Sequence, residues 1–257
     1  LTFRSRDALT FAVTEMRIEG PESGEAVVFS RDMQNEQARA GKFAYYRLVP
    51  SELRKPCRAA GDLNRLEPSG NGLANVLDTL MRRRLFAQVE KHFKERFPQY
   101  DALEVPRDIP DEPLLNGLLF RTANGLALRP EAVSDGALIS LAFSAVVAVP
   151  DPPSTLLVEE PENGVHFSAL EDIVGSLKSV CRDRGVQVIA TTHSPYLLDL
   201  VEPEEVRVFS KDEEGAVHAV KLSDLPDIRD MRKLFNAGEI WTAFTEEQIV
   251  EQAGGGT

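Results

Sequence analysis

Apolar and polar residues alternate along the first part of the chain, most clearly between Leu9 and Ile18. A period of two is typical of a strand that buries one face. Ala26–Phe29 and Phe43–Val49 continue this strand-rich character. The pattern therefore predicts an N-terminal antiparallel strand meander within residues 1–66.

A helical period replaces the alternation after the glycine-rich break at 69–72. Apolar residues then recur every four positions, which places them on one face of a helix: Leu77, Met81, Leu85, Val89, Phe93 and Phe97. Pro98 ends the pattern. We expect a helical segment within residues 67–125.

Basic residues occupy the other face of this helix: Arg82, Arg83, Arg84, Lys91, Lys94 and Arg96. A solvated helix face and a surface that contacts nucleic-acid phosphates both explain such a cluster. The solvated face is the commoner explanation of such a cluster, and phosphate contact is the alternative.

The character changes to α/β from about residue 126. A small apolar helix at Ala137–Val149 precedes a short buried strand at Thr155–Val158. An amphipathic helix from Leu170 to Cys181 and a strand at Val186–Thr191 follow, with Gly185 as the helix C-cap. Strand, helix and strand at this length predict a right-handed βαβ crossover with parallel strands.

The last part of the chain adds a hairpin and a tail. Val206–Ser210 and Ala216–Lys221 read as two strands joined by a turn. We therefore expect an α/β core over residues 126–222 and a C-terminal tail over 223–257.

Composition and charge narrow the class of protein. The 257 residues carry a formal net charge of −12, which argues against a general polyanion binder. No apolar run is long enough to span a membrane, and no signal peptide is visible. Cys57 and Cys181 lie far apart, which suits a reducing compartment, so we expect a cytoplasmic protein without membrane contact. Because the chain begins with Leu1 inside strand-like sequence, we expect a fragment of a longer protein.

Two carboxylates follow the predicted strand at Thr155–Val158. Ligands bind at the carboxyl ends of parallel strands, which is where Glu159 and Glu160 lie. One carboxylate can hold Mg²⁺ while the next orients and deprotonates an attacking water. A strand that runs into an acidic, solvated turn explains the same residues equally well.

Two further signals surround this pair. His193 ends the next strand, where an imidazole can hydrogen-bond a phosphate or a water, although a histidine at a strand end is more often structural. Ser134 and Gly136 begin the apolar helix, and a helix N-terminus can bind phosphate. Taken alone, the Ser134–Gly136 motif is more often a plain capped helix than a phosphate site.

Together, these motifs resemble those of ABC-type ATPase heads of the RecF, SMC and OLD-like group, and more closely those of bacterial AAA-family ATPases of the AAA_21 kind. The resemblance rests on Ser-Asp-Gly at 134–136, Leu-Leu-Val-Glu-Glu-Pro-Glu-Asn-Gly-Val-His at 156–166 and Thr-Thr-His-Ser-Pro at 191–195. Segments near 43–56 and 69–77, and Gly-Glu-Ile-Trp at 238–241, extend it.

The resemblance implies a role for each motif. Ser134, Asp135 and Gly136 match the signature motif, which reaches the ATP of a partner subunit. Glu159 matches the Walker B acid that holds Mg²⁺, and Glu160 matches the catalytic base. His193 matches the switch histidine, and the segment from Asn163 to His166 matches the D-loop at a dimer seam.

One motif of the family is missing. The sequence Gly-x-x-x-x-Gly-Lys-Ser/Thr, the Walker A loop that holds the phosphates, occurs nowhere in the chain. Gly41-Lys42 is followed by Phe43 and does not fit it. We expect the loop to lie upstream in a longer protein or to come from another polypeptide.

The resemblance implies an α/β P-loop NTPase core of the ABC-ATPase type that binds ATP and Mg²⁺ and hydrolyses ATP as a homodimer. DNA maintenance or phage defence, with DNA or a nuclease as partner, is the expected setting. This chain alone is expected to be inactive. The alternative is a half-head that does not hydrolyse ATP and serves as a protein-interaction module.

Overall fold

The structure is a computed structural model that describes residues 9–13, 43–59, 61, 65–109, 112–211 and 216–254. The strands are β1 (Leu9–Val13), β2 (Phe43–Tyr46), β3 (Cys57–Arg58), β4 (Tyr100–Glu104), β5 (Arg107–Ile109), β6 (Glu112–Asn116), β7 (Leu119–Thr122), β8 (Ala127–Leu128), β9 (Thr155–Glu159), β10 (Gln187–Thr191), β11 (Val206–Lys211) and β12 (Val217–Lys221). The helices are α1 (Pro50–Leu53), α2 (Leu73–Arg82), α3 (Phe86–Arg96), α4 (Asp135–Ala148), α5 (Phe167–Arg184), α6 (Pro195–Leu198), α7 (Ile228–Met231), α8 (Ala237–Thr242) and α9 (Glu246–Gln252).

A six-stranded sheet organises the molecule, in the order β12-β11-β1-β10-β9-β2. All its neighbouring pairs are parallel except the β11–β12 hairpin. The predicted βαβ crossover is confirmed as β9, α5 and β10, and Gly185 caps α5 in the left-handed conformation. The α/β fold class is therefore confirmed.

The predicted antiparallel meander is wrong for β1 and β2, whereas β3 pairs antiparallel with β6. β1 pairs in parallel with β10 and β11, and β2 pairs in parallel with β9. Alternation identifies a strand but not its partner, and here the partners lie more than a hundred residues downstream. Ala26–Phe29 and Gly41-Lys42 lie outside the described residues. β1 and β2 thus share one sheet with strands of the 126–222 segment, and the predicted domain boundaries remain predictions.

The predicted single helix over 77–97 is two helices, α2 and α3. Arg84 stands between them with a φ of 59°, and the Leu85 amide donates to the Leu80 carbonyl at 2.8 Å. Many helices end in this way, with one residue in the left-handed conformation and a hydrogen bond from an amide to the carbonyl five residues earlier. The segment 67–125 also contributes β4 to β7 to two small antiparallel sheets, with orders β3-β6-β5 and β4-β7-β8, so it is only partly helical.

Helix α4 passes through the core. Its residues from Ala137 to Val146 are all buried, as expected for a helix that is apolar on every side. Ser134 is its N-cap and accepts a hydrogen bond from the Ala137 amide at 3.4 Å. The sequence prediction of a capped helix at this position is confirmed.

The C-terminal helices pack directly behind the loop that carries His193. A Cβ added to Gly238 on α8 would lie 2.1 Å from the Pro195 carbonyl oxygen, a distance at which the backbone has to move. The Gly238 amide also donates to Asp199 at 2.8 Å. Only glycine therefore allows α8 to approach α6 this closely.

An aromatic cluster holds α3 against the small antiparallel sheet. Phe93 is 2% exposed, and its ring centroid lies 5.1 Å from Phe97, 5.6 Å from Tyr100 and 5.8 Å from Phe120. Phe93→Ala is expected to lower the free energy of unfolding by about 3–5 kcal/mol, because it removes a buried ring and leaves a cavity. Urea unfolding measures this loss.

Phe235→Ala is the control for this prediction. Phe235 is 52% exposed, so its truncation is expected to change stability by only about 0.5 kcal/mol or less. Equal losses in the two variants would show that the aromatic cluster contributes no more to the free energy of unfolding than an exposed ring does.

Candidate functional site

The carboxyl ends of β2, β9 and β10 meet at one edge of the sheet. In this register Glu159 lies beside Thr191, and Tyr46 beside Val158. The Glu160 amide donates to the Thr191 carbonyl at 3.0 Å, which continues the pairing one residue past the strand. Both predicted acids therefore lie at the edge where parallel sheets bind ligands.

Glu159 is held by two residues that come from the end of β2. The Tyr45 hydroxyl donates to Glu159 Oε2, and Arg47 Nη1 lies 3.2 Å from Glu159 Oε1. Burial, followed by the hydrogen bond to Glu159, raises the pKa of Tyr45, so the phenol stays protonated and remains a donor. Both carboxylate oxygens of Glu159 thus have a partner.

Glu160 has an unusual backbone for a residue with a side chain. Its φ is 45°, in the left-handed region that favours glycine. Asn163 Nδ2 donates to Glu160 Oε2 at 2.6 Å, and Arg47 Nη2 lies 4.0 Å from the same oxygen. Strained conformations of this kind cluster at functional sites.

The loop that carries His193 is tied to the acidic loop by Glu162. Glu162 Oε1 accepts hydrogen bonds from Thr192 Oγ1 at 2.6 Å and from the His193 amide at 3.1 Å. The Ser194 amide donates to Thr192 Oγ1 at 3.0 Å. This fixes the backbone on both sides of His193, while its imidazole is exposed.

The signature segment contacts the predicted D-loop. A Cβ on Gly136 would lie 3.7 Å from the His166 amide nitrogen, and one on Gly164 would lie 3.7 Å from Asp135 Cβ. His166 itself caps α5, because its Nδ1 accepts from the Ser168 amide at 3.3 Å. Ser134, Asp135, Gly136 and the segment from Asn163 to His166 therefore form one continuous surface with Glu160.

Arg54 fixes the entry to the signature helix. Its Nη2 donates to Asp135 Oδ1 at 2.6 Å and to the Val133 carbonyl at 2.9 Å. Its Nε donates to the Pro130 carbonyl at 3.1 Å. The guanidinium thus holds the turn before α4 in place and balances the charge of Asp135.

Comparison with known families decides the class. Residues 36–199 match the AAA_21 family, described as "AAA domain, putative AbiEii toxin, Type IV TA system". The chain belongs to the AAA_21 family. The matched stretch contains the signature segment, Glu159, Glu160 and His193. The molecule is thus an AAA ATPase-like domain with a P-loop NTPase fold, as its motifs predicted.

Solved structures give more distant likenesses. The AAA_21 chain is similar to an SMC head bound to the C-winged helix domain of ScpA, with 16% identity over 71% of this chain and 55% of that one, at a TM-score of 0.46. It is also similar to an SMC ATPase studied for ATP-driven dimerisation and DNA-stimulated activation, with 17% identity over 62% and 94% of the two chains and a TM-score of 0.41. A third is the Smc head of Pyrococcus yayanosii, with 19% identity over 61% and 30% and a TM-score of 0.42.

The AAA_21 chain spans about half the length of the first of these structures. No curated protein matches the sequence. Within the ranges that the structure covers, no helix is both long and apolar enough to cross a lipid bilayer.

Sequence reasoning overlooked Tyr45, Arg47, Arg54 and Glu162. The segment that contains the first three resembled the family, but nothing in its pattern showed that β2 lies beside β9. Glu162 follows Glu160 after a proline, and its position as the third acid of the run was the available signal. Its buried Oε2 has no hydrogen-bond partner among the described residues.

The donor chemistry at this edge fits a divalent cation. Mg²⁺ usually takes one or two protein carboxylates together with waters and phosphate oxygens, and Glu159 and Glu160 are such carboxylates. Arg47, however, already neutralises part of their charge. The sequence contains no Walker A loop, so the chain has no corresponding loop to bind the phosphates of ATP.

Proposed function

We propose that this chain supplies the signature, Walker B, catalytic and switch groups of an ABC-type site that hydrolyses ATP. The observation that carries the proposal is the convergence of three motifs on one edge of the sheet. Glu159 and Glu160 lie there, Glu162 ties them to the His193 loop, and the signature turn contacts the loop between them and α5. A plain acidic turn would not need this network.

Each residue has a chemical task in this proposal. Glu160 accepts the proton of the attacking water, and Asn163 orients its carboxylate. The exposed imidazole of His193 donates a hydrogen bond to the γ-phosphate or to the water. Glu159 would hold Mg²⁺, which when bound neutralises charge on the phosphates.

The signature segment is proposed to act on ATP held by a second copy of the chain. Ser134 and Asp135 are exposed at the N-terminus of a helix of 14 residues, as its N-cap and its first residue. An anion is favoured at such an N-terminus by the free N–H groups and the helix dipole. The head would therefore close as a homodimer around ATP, with His166 and the D-loop at the seam.

Phage defence or DNA maintenance is the cellular role we propose, in keeping with the toxin–antitoxin description of the family. The basic cluster gives limited support to DNA as a partner. Four of its members pair with carboxylates: Arg82 with Asp78, Lys91 with Glu95, Lys94 with Asp101 and Arg96 with Asp172. The solvated interpretation of this surface is therefore the stronger one. Two cysteines without a disulfide suit the cytoplasmic location that we propose.

The test of the proposed function is Ser134→Arg in a form of the protein that binds ATP through a Walker A loop. Arginine at the start of α4 would fill the position of the partner's γ-phosphate. We expect ATP-dependent dimerisation to disappear, while each monomer still binds nucleotide. Sedimentation velocity with and without ATP measures the dimer, and calorimetry measures nucleotide binding.

Ser223→Arg is the matched control, because it adds the same side chain just after β12, at the opposite edge of the sheet from β2. It is expected to dimerise as the parent does. Dimerisation of Ser134→Arg at the parent affinity would refute the trans role of the signature. A parent that dimerises equally well without ATP would favour the interaction module.

A further inference from the structure

Arg47 lies where a cation would meet the two carboxylates. Its guanidinium is 3.2 Å from Glu159 and 4.0 Å from Glu160. The Arg47 side chain is 59% exposed, whereas the two carboxylates are 27% and 28% exposed. The guanidinium therefore covers the carboxylates on the side that faces solvent.

The attachment of Arg47 to the fold allows its side chain to move alone. Its amide donates to the Pro68 carbonyl at 2.9 Å, which anchors the backbone just after β2. Exposed ion pairs are weak, since solvent screens them and side-chain ordering opposes them. The guanidinium can therefore leave the carboxylates without a change in the sheet.

Tyr45 differs from Arg47 in this respect. It is only partly exposed, lies on β2 beside Leu157 of β9, and donates to the other oxygen of Glu159. Because its hydroxyl is neutral, Tyr45 does not compete with a cation for the negative charge of the carboxylate. Tyr45 fixes the orientation of the carboxylate, and Arg47 supplies the positive charge.

We propose that Arg47 is a built-in counter-cation of the Glu159–Glu160 pair, which a divalent metal ion has to displace in order to bind. The chain thereby keeps its two acids together in the absence of nucleotide. Once displaced, the guanidinium becomes available to an anionic phosphate nearby. This inference rests on the proposed metal role of Glu159.

Binding of Mn²⁺ alone to the chain tests the proposal, with free Mn²⁺ followed by electron paramagnetic resonance. Arg47→Gln is expected to bind Mn²⁺ roughly 3–10-fold more tightly than the wild-type chain, since a positive charge close to the ion is removed. Arg47→Lys keeps the charge and is expected to bind as weakly as the wild type. Urea unfolding of each variant shows that it is folded.

Arg121→Gln is the matched control. It also removes one charge from a surface arginine–glutamate pair, in which Arg121 Nε lies 2.9 Å from Glu104 Oε1, and it should leave Mn²⁺ binding unchanged. The double variant Arg47→Gln/Glu159→Gln should lose the gained affinity. An unchanged affinity in Arg47→Gln, or a gain that survives the loss of Glu159, would overturn the proposal.

The outcome is separable from that of the proposed function. A gain in Mn²⁺ affinity without ATP turnover in any form of the protein would keep the role of Arg47 and remove the ATPase proposal. ATP turnover together with unchanged Mn²⁺ binding in Arg47→Gln would keep the ATPase proposal and remove the role of Arg47.

Discussion

Glu160→Gln is expected to lower ATP turnover by about 10²–10⁴-fold, the usual contribution of a general base, in a form of the protein that carries a Walker A loop. A carboxamide has the shape of the carboxylate but cannot accept the proton of the attacking water. Asn163 already donates to this side chain, so the geometry of the turn should survive. ATP binding should be retained, and ATP-dependent dimers should accumulate because they cannot complete the cycle. Steady-state phosphate release measures the effect.

Two variants make this result specific. Glu159→Gln is expected to weaken the dependence on Mg²⁺ as well as turnover, because it removes the proposed metal ligand. Glu104→Gln changes a surface glutamate whose partner is Arg121, and it should leave turnover unchanged. Near-normal hydrolysis by Glu160→Gln would exclude this residue as the base.

The parallel core could be predicted because its signals are local. The apolar run of β9, the amphipathic face of α5 and the glycine that caps it at Gly185 each determine a structure within a few residues. Short connections then leave one handedness for the crossover. The same holds for Ser134, whose cap needs only the helix that follows it.

The position of β2 could not be predicted from its own residues. Phe43–Tyr46 reads as a strand in either direction, and its parallel partner β9 is encoded far downstream. Tyr45 and Arg47 therefore gained a role only when the sheet order was known. The contacts of Glu162 depend on the same kind of information, since they join loops that follow two different strands.

The break between α2 and α3 shows a different limit. The apolar stripe continues in register across the break, because Leu85 still packs against the core while the backbone turns at Arg84. A period of four cannot distinguish one long helix from two that share a buried side. The left-handed arginine that separates them has no signal comparable to a glycine.

The chain alone is expected to bind ATP only at millimolar concentrations or more weakly and not to hydrolyse it. In P-loop NTPases a ring of backbone amides and a lysine hold the β- and γ-phosphates, and the next Ser/Thr holds Mg²⁺. This chain lacks that sequence, and its carboxylates repel the phosphate charges, with Arg47 offsetting only part of that repulsion. Addition of a Walker A loop should restore affinity by about a thousandfold, which corresponds to about 4 kcal/mol.

Calorimetric titration of ATP and Mg²⁺ tests the central claim most directly. The claim is that this chain contains the catalytic and signature groups of an ABC-type site without the Walker A loop that binds the phosphates. The 257 residues alone should show no saturable binding below the millimolar range, on the order of what an unsupported phosphate site gives. A form that carries the Walker A loop should bind at micromolar concentrations. Micromolar binding by the chain alone, or no binding by the form with the loop, would contradict the account.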